Sequence, residues 1–187
     1  GAAGFFAAIS AKTHHPEAKV TIYEKSDKLL SKVRISGGGR CNVTHHCFDI
    51  RELVKHYPRG ERPLKKAFGI FSPTDTINWF QQRGVELKTE SDGRMFPTTD
   101  DSETIINCLM QETRKLGIGI KAKSNIKSMK RLGDGYELGF YRGGRITADK
   151  VIVATGGSPR ASGFDWLRKL NHEIEEPVPS LFTFNMP

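Results

Sequence analysis

Two glycines and one carboxylate carry the first chemical signal in the chain. Gly1-Ala2-Ala3-Gly4 runs directly into an apolar stretch, Phe5 to Ala11, and Glu24 stands twenty residues past Gly4. A dinucleotide-binding fold reads strand, G-x-G-x-x-G, helix, second strand, then an acidic residue for the ribose hydroxyls. In that pattern Gly1 is the second glycine, which lets the backbone approach a pyrophosphate, and Gly4 is the third, which lets helix and strand pack closely. Free N–H groups at a helix start favour the anion. Val20-Thr21-Ile22-Tyr23 is β-rich and ends at Glu24, placing a carboxylate at a strand's C-terminal end. A small-residue helix followed by an edge strand and a surface Glu fits the same residues, because short glycine patterns arise by chance. The first strand and first glycine of the pattern are not in the sequence. The expectation is therefore a piece of a larger cofactor-binding protein that, alone, is poorly soluble and binds its cofactor weakly.

The strongest signal is Lys32-Val33-Arg34-Ile35-Ser36-Gly37-Gly38-Gly39-Arg40-Cys41-Asn42. Three consecutive glycines do not sustain a helix or a strand. They do form a loop whose N–H groups face a bound anion or ring. Lys32 and Arg40 flank it with positive charge, and Asn42 offers both donor and acceptor to a planar heterocycle. A mobile hinge in a basic loop is the competing reading; the ribose-type Glu24 upstream favours binding. A third signal is Val151-Ile152-Val153-Ala154-Thr155-Gly156-Gly157. It reads as a fully buried strand over 150–154 that ends in bare backbone at the carboxyl edge of a parallel sheet, where such folds hold ligands.

These residues need elements to position them. The patterns predict a helix over 2–12, a strand over 20–24, an irregular segment over 26–48, and short helices over 49–57 and 63–71. Ser72 caps a helix with Pro73 at its first position, running to Arg83 and stopped by Gly84. Strands follow at 85–89 and 94–97. A helix starting at Ser102-Glu103 places Ile105, Ile106, Leu109 and Met110 on one face and ends near Gly117. After a strand over 118–123, three short strands over 125–147 break at Gly133-Asp134-Gly135 and Gly143-Gly144. The tail, Glu175 to Pro187, with Pro177 and Pro179, reads as the entrance to a further domain.

Composition narrows the class. Of 187 residues, 37% are hydrophobic and 27% charged, as in a soluble globular protein, and no apolar run approaches a membrane span. Three cysteines, Cys41, Cys47 and Cys108, form no disulfide framework and point to a reducing, cytoplasmic setting. The net charge of +8 admits a phosphate-bearing partner. The Lys and Arg residues are scattered, so the expectation is a small-molecule substrate, no nucleic acid and no membrane, with the oligomeric state left open. His45 and His46 with Cys41 and Cys47 form the one histidine cluster, but adjacent strand residues point to opposite faces, so no metal is expected.

In its motifs the chain resembles the BaiN-like (YhiN-like) NAD(P)/FAD-dependent oxidoreductases, flavoproteins of glutathione-reductase type. The matching segments are Gly1 to Gly4, Tyr23-Glu24-Lys25, Lys32 with Ile35 to Asn42, Gly93-Arg94-Met95-Phe96-Pro97, Ala154 to Gly157, and Pro177 to Phe182. The Ser-Gly-Gly-Gly-Arg-Cys-Asn run is the most specific of them. The resemblance implies an α/β fold: an FAD-binding, Rossmann-like parallel sheet with helices and a three-stranded β-meander crossover. Residues 1–176 would form the FAD-binding domain, with 49–117 a mainly helical insertion, and 177–187 would start a substrate domain. It implies FAD, with NAD(P)H as a possible electron donor. Gly1 and Gly4 fall at the pyrophosphate; Glu24 on the adenosine ribose; Gly37, Gly38, Gly39, Arg40, Cys41 and Asn42 along the ribityl and flavin side; Ile126 near the adenine; and Ala154, Thr155, Gly156 and Gly157 beside the cofactor, with Ala2, Lys25, Lys32 and Ser36 further cofactor-binding residues. Two departures bear on substrate: Thr44 precedes His45-His46 where the family commonly has Asn, and Ser158 to Ser162 lacks the Gly-Asp often found there. Related enzymes carry a redox disulfide with four residues between its cysteines; five separate Cys41 from Cys47, which favours packing over redox cycling. The alternatives are a flavin-dependent disulfide reductase using that pair and an RNA-associated flavoprotein of the tRNA-modifying type.

Overall fold

The computed structural model describes residues 1–57, 59–158 and 161–176. Helix α1 (Ala2–His14) leads into strand β1 (Thr21–Tyr23). Strand β5 (Gly119–Lys121) pairs with β1 in parallel, Thr21 opposite Gly119 and Tyr23 opposite Lys121. Parallel neighbours need a crossover, and its last element here is helix α6 (Ser102–Lys115), which packs beside α1. The core lies between these helices and the parallel pair. Phe5, Ala8 and Ile9 of α1 meet Ile105, Ile106, Cys108 and Leu109 of α6 over Leu30, Val33, Cys41 and Phe80. Both helices thus bury a stripe at i, i+3 and i+4, as the spacing predicts for α6.

Between β1 and α6 the chain builds a second layer. A short helix, α2 (Ser31–Ile35), precedes the glycine loop, and β2 (Thr44–His45) follows it. Helices α3 (Ile50–Lys55) and α4 (Glu61–Phe68) form a pair. Helix α5 (Pro73–Gln81) then leads to β3 (Leu87–Thr89) and β4 (Arg94–Pro97). These strands form an antiparallel sheet in the order β2-β4-β3. The meander β6 (Ile126–Leu132), β7 (Gly135–Phe140) and β8 (Arg145–Ala148) forms a separate antiparallel sheet. Its turns fall at the predicted glycines, where Gly133, Gly143 and Gly144 all have positive φ.

The predicted elements stand with three adjustments, in the segment 26–48, the second short helix and the strand at 150–154. The segment 26–48 is not wholly irregular, since α2 occupies Ser31–Ile35. The second short helix starts at Glu61, two residues before Pro63; a proline within the first turn forfeits only an N–H that has no intrahelical acceptor. The cap of α6 is Asp101, whose carboxylate accepts from Glu103 N (2.8 Å), and Ser102 is buried inside. The buried strand expected at 150–154 does not form. A strand exists only through a ladder partner, and among the described residues β1 pairs with β5 alone. Ile152 is 64% exposed and Val153 40%. Hydrophobicity there marks a surface without a cover. A short turn, Ala161–Phe164, and α7 (Asp165–Arg168) follow without a sequence expectation. The tail at 177–187 lies outside the described residues.

Candidate cofactor site

The site is built outward from the start of α1. Gly1 is its N-cap, no side chain caps it, and its first turn carries no acidic residue. Its first N–H groups therefore lack an intrahelical acceptor and meet no carboxylate from the helix's own first turn, an arrangement that suits an anion. Glu24 lies beside this end, with Oε2 3.7 Å from Gly1 N. Its other oxygen, Oε1, accepts from Ser26 N (3.1 Å) and Ser26 Oγ (3.3 Å). Ala154 packs on Gly4, where a Cβ on the glycine would sit 3.5 Å from that of Ala154. A side chain larger than alanine at position 4 would push 154 away. Gly156 has φ +74°, and a Cβ there would stand 3.7 Å from Lys32 Nζ. The folded chain thus brings Gly1, Gly4, Glu24, Lys32, Ala154 and Gly156 to one surface from across its whole length. Ala2, Lys25, Thr155 and Gly157 are exposed beside their neighbours in sequence.

The meander starts at the same place. Glu24 N donates to Lys121 O (2.9 Å), and Ser124 N donates to Glu24 O (2.8 Å). Ile126 pairs with Phe140, whose ring lies 5.4 Å from that of Tyr23. Ile126 therefore stands close to the end of β1, where the adenine is expected.

The glycine loop leaves α2 through Ser36 and passes through Gly37, Gly38 and Gly39 at φ +56°, +69° and +87°. Cys41 is also left-handed, at φ +63°. Gly37 is required twice over: a Cβ there would lie 2.7 Å from Phe96 Cε1 and 3.0 Å from Asn42 N. Gly38 faces open space. The base of the loop is closed by Cys41 N donating to Ser36 O (3.0 Å) and Ser36 Oγ donating to Val33 O (2.9 Å). Asn42, with its Nδ2 turned to the backbone, donates to Thr44 O (2.9 Å) and Met95 O (3.3 Å). Its amide N–H groups thus tie the end of the loop to β2 and β4. Arg40 turns to the β3–β4 hairpin, where its Nη1 ion-pairs with Glu90. The cysteines are free thiols. Burial pushes the Cys41 thiol upward, against a smaller opposing hydrogen bond from Ser36. Cys47 donates to Asp49 O at 3.8 Å. His45 packs under Gly93 and its Nε2 lies 3.0 Å from Asp92 O. Among the described residues no group of three or more His, Cys, Asp or Glu could hold a metal.

The sequence reading missed Glu90, Phe96 and Asp100 as neighbours of the glycine loop. Phe96 is seen there only as part of a motif, and the contact spans about fifty residues, beyond any local period. A second surface also escaped it. Arg51 on α3 and Arg62, Lys65 and Lys66 on α4 form no ion pair among the described residues, and α4 buries none of its side chains.

Comparison with known proteins identifies the family of the chain. Residues 1–178 match the family described as HI0933-like protein Rossmann domain. The chain is 28% identical over 187 residues to a 3-dehydro-bile acid delta(4,6)-reductase of Clostridium scindens, covering 97% of this chain and 44% of that protein. It is 27% identical over 157 residues to the ribosomal RNA dihydrouridine synthase of Escherichia coli, and 27% over 161 residues to that of Haemophilus influenzae. Each of these matches covers 84% of this chain and 38% of the relative. The chain therefore spans less than half the length of these curated relatives. With its family matched along nearly all of its length, the chain belongs to the HI0933-like Rossmann-domain family, the BaiN-like (YhiN-like) flavoproteins that its motifs resemble.

Proposed function

We propose that the protein is an FAD-dependent oxidoreductase reduced by NAD(P)H and acting on a small molecule. One observation carries the reading. Gly1, Gly4, Glu24, Lys32, Ala154 and Gly156 converge at the uncapped start of α1. These groups fit FAD. The helix start and Lys32 suit a pyrophosphate, Glu24 suits a ribose, and the left-handed glycines would present N–H groups toward the flavin side. FAD supplies the redox chemistry when bound, and the chain binds, orients and electrostatically tunes it. The name of the Clostridium relative, a bile-acid reductase, supports a small-molecule substrate, and the resemblance of the motifs supports a nicotinamide donor. A visible flavin spectrum from the purified full-length protein tests the cofactor; its absence after reconstitution with FAD rejects it. Anaerobic mixing with NADH and NADPH tests the donor; bleaching by neither rejects it.

An RNA substrate is the second reading, favoured by the unpaired cations of α3 and α4 and by the names of two relatives. Phosphate contacts by four such side chains would give an affinity that falls steeply with salt. Weak binding without saturation, or binding unaffected by replacing Arg62, Lys65 and Lys66 with Ala, removes this reading.

A further inference from the structure

Arg40 has partners that change its expected role. Its Nη1 ion-pairs with Glu90 Oε1 and stands 3.6 Å from Asp100 Oδ1. Its Nε donates to Gly37 O at 3.4 Å, and its Cζ lies 4.0 Å from the centroid of the Phe96 ring. Phe96 is fully buried and is the residue against which Gly37 packs. Glu90 turns its second oxygen to Arg94 Nη2 (3.5 Å), and Asp100 turns its second oxygen to Lys88. The guanidinium is therefore held by two carboxylates, one carbonyl and one aromatic face.

We propose that Glu90 and Phe96 are positioning residues for the cofactor, acting through Arg40. They fix the Gly37–Gly39 turn in its left-handed conformation, so that its N–H groups meet the cofactor already ordered. The inference rests on the FAD reading but concerns residues that need not touch FAD. Glycine-rich backbone loses the most conformational freedom on ordering. A loop ordered before binding gains affinity by avoiding that loss at the binding step. Phe96 serves as the floor, because a planar ring accepts both the glycine backbone and a stacked guanidinium. Glu90 fixes the guanidinium's direction. Half-exposed ion pairs contribute little to global stability, so loosening this one should free the loop while leaving the fold intact.

The test uses full-length protein and FAD. Glu90→Gln should raise the FAD dissociation constant about tenfold, as expected for losing one hydrogen bond to a charged group. The Tm of the apoprotein should be unchanged, and amide exchange over residues 36–42 should be faster. Glu90→Asp should recover part of the affinity. Arg40→Ala and the double variant Arg40→Ala/Glu90→Gln should bind equally weakly, because both carboxylate and guanidinium act through one contact. If Arg40 instead touches FAD directly, Arg40→Ala weakens binding while Glu90→Gln leaves it unchanged or tightens it, and the proposal falls. Unchanged exchange over 36–42 in Glu90→Gln also overturns it. Failure of the unmodified protein to bind FAD would overturn the cofactor reading and this inference with it, whereas normal FAD binding by Glu90→Gln overturns this inference alone.

Discussion

Glu24 holds its own loop as well as facing the helix start, since Oε1 accepts from Ser26 N and Oγ while Oε2 lies 3.7 Å from Gly1 N. Glu24→Ala should weaken FAD binding by about 10- to 100-fold, the range for a hydrogen bond to a charged group. Fluorescence quenching of FAD on titration measures it, and an unchanged affinity would remove Glu24 from the ribose. The glycines offer an internal comparison. Gly37→Ala meets both a left-handed φ and Phe96 at 2.7 Å, whereas Gly38→Ala meets φ +69° and open space. The left-handed penalty alone is about 1–2 kcal/mol, so denaturant melts should rank Gly37→Ala as the more destabilised, and equal loss at both sites would contradict the contact. Cys108 gives a pH signature. Burial raises its thiol to about 11 from an ordinary 9.0. A thiol whose pKa is raised on folding adds stability below the unfolded value, and that stability is lost as pH rises toward the folded one. Stability should therefore fall between pH 9.0 and about 11, and Cys108→Ala should fall less steeply over that window. Residue types were the most legible level: the three glycines, Glu24 and Lys32 announce themselves by kind. Arg40 did not, because its charge suggests a phosphate and only the fold shows that Glu90 already holds it.

Elements were legible wherever their signals are local. Ser72 and Asp75 form a reciprocal cap at α5: Asp75 N donates to Ser72 Oγ (3.3 Å) and Ser72 N to Asp75 Oδ2 (2.7 Å). Those donors lie within one turn of each other, so four residues of sequence specify them. Ser72→Ala should cost about 1 kcal/mol, read as a shift in denaturant midpoint, with Ser72→Thr recovering most of it; full stability in Ser72→Ala would show that α5 is held by packing alone. The meander was equally legible, because its turns need glycines at positive φ and the sequence supplies them. The segment 151–154 was not. Four apolar residues in a row describe a chemistry, and a strand is a relation between two segments. The start of α6 was legible too: the helix begins at Ser102 as its spacing predicts, Asp101 caps it, and the buried Ser102 hydroxyl donates to Arg34 O at 2.9 Å.

At the scale of the whole molecule, charge and apolar surface are unevenly placed. The carboxylates of the β3–β4 region are taken up by cations: Glu90 by Arg40, Asp92 by Arg94 and Asp100 by Lys88. The cations of α4 have no such partners among the described residues, so part of the net +8 is concentrated on one helical surface that composition alone describes as scattered. Apolar exposure is uneven too. Ile152 and Val153 stand open next to Ala154, which touches Gly4 at the heart of the candidate site. The parallel sheet meanwhile has two strands, each with one edge unpaired among the described residues. Uncovered apolar side chains and free strand edges promote association. The 187-residue chain should therefore bind a hydrophobic dye and self-associate in a concentration-dependent way. Ile152→Ser with Val153→Ser should reduce dye binding and association while leaving the far-ultraviolet circular dichroism unchanged, because neither side chain is buried. A monodisperse, dye-silent chain would show that this surface is covered from within the chain, and that the parallel sheet closes on residues 151–154 after all.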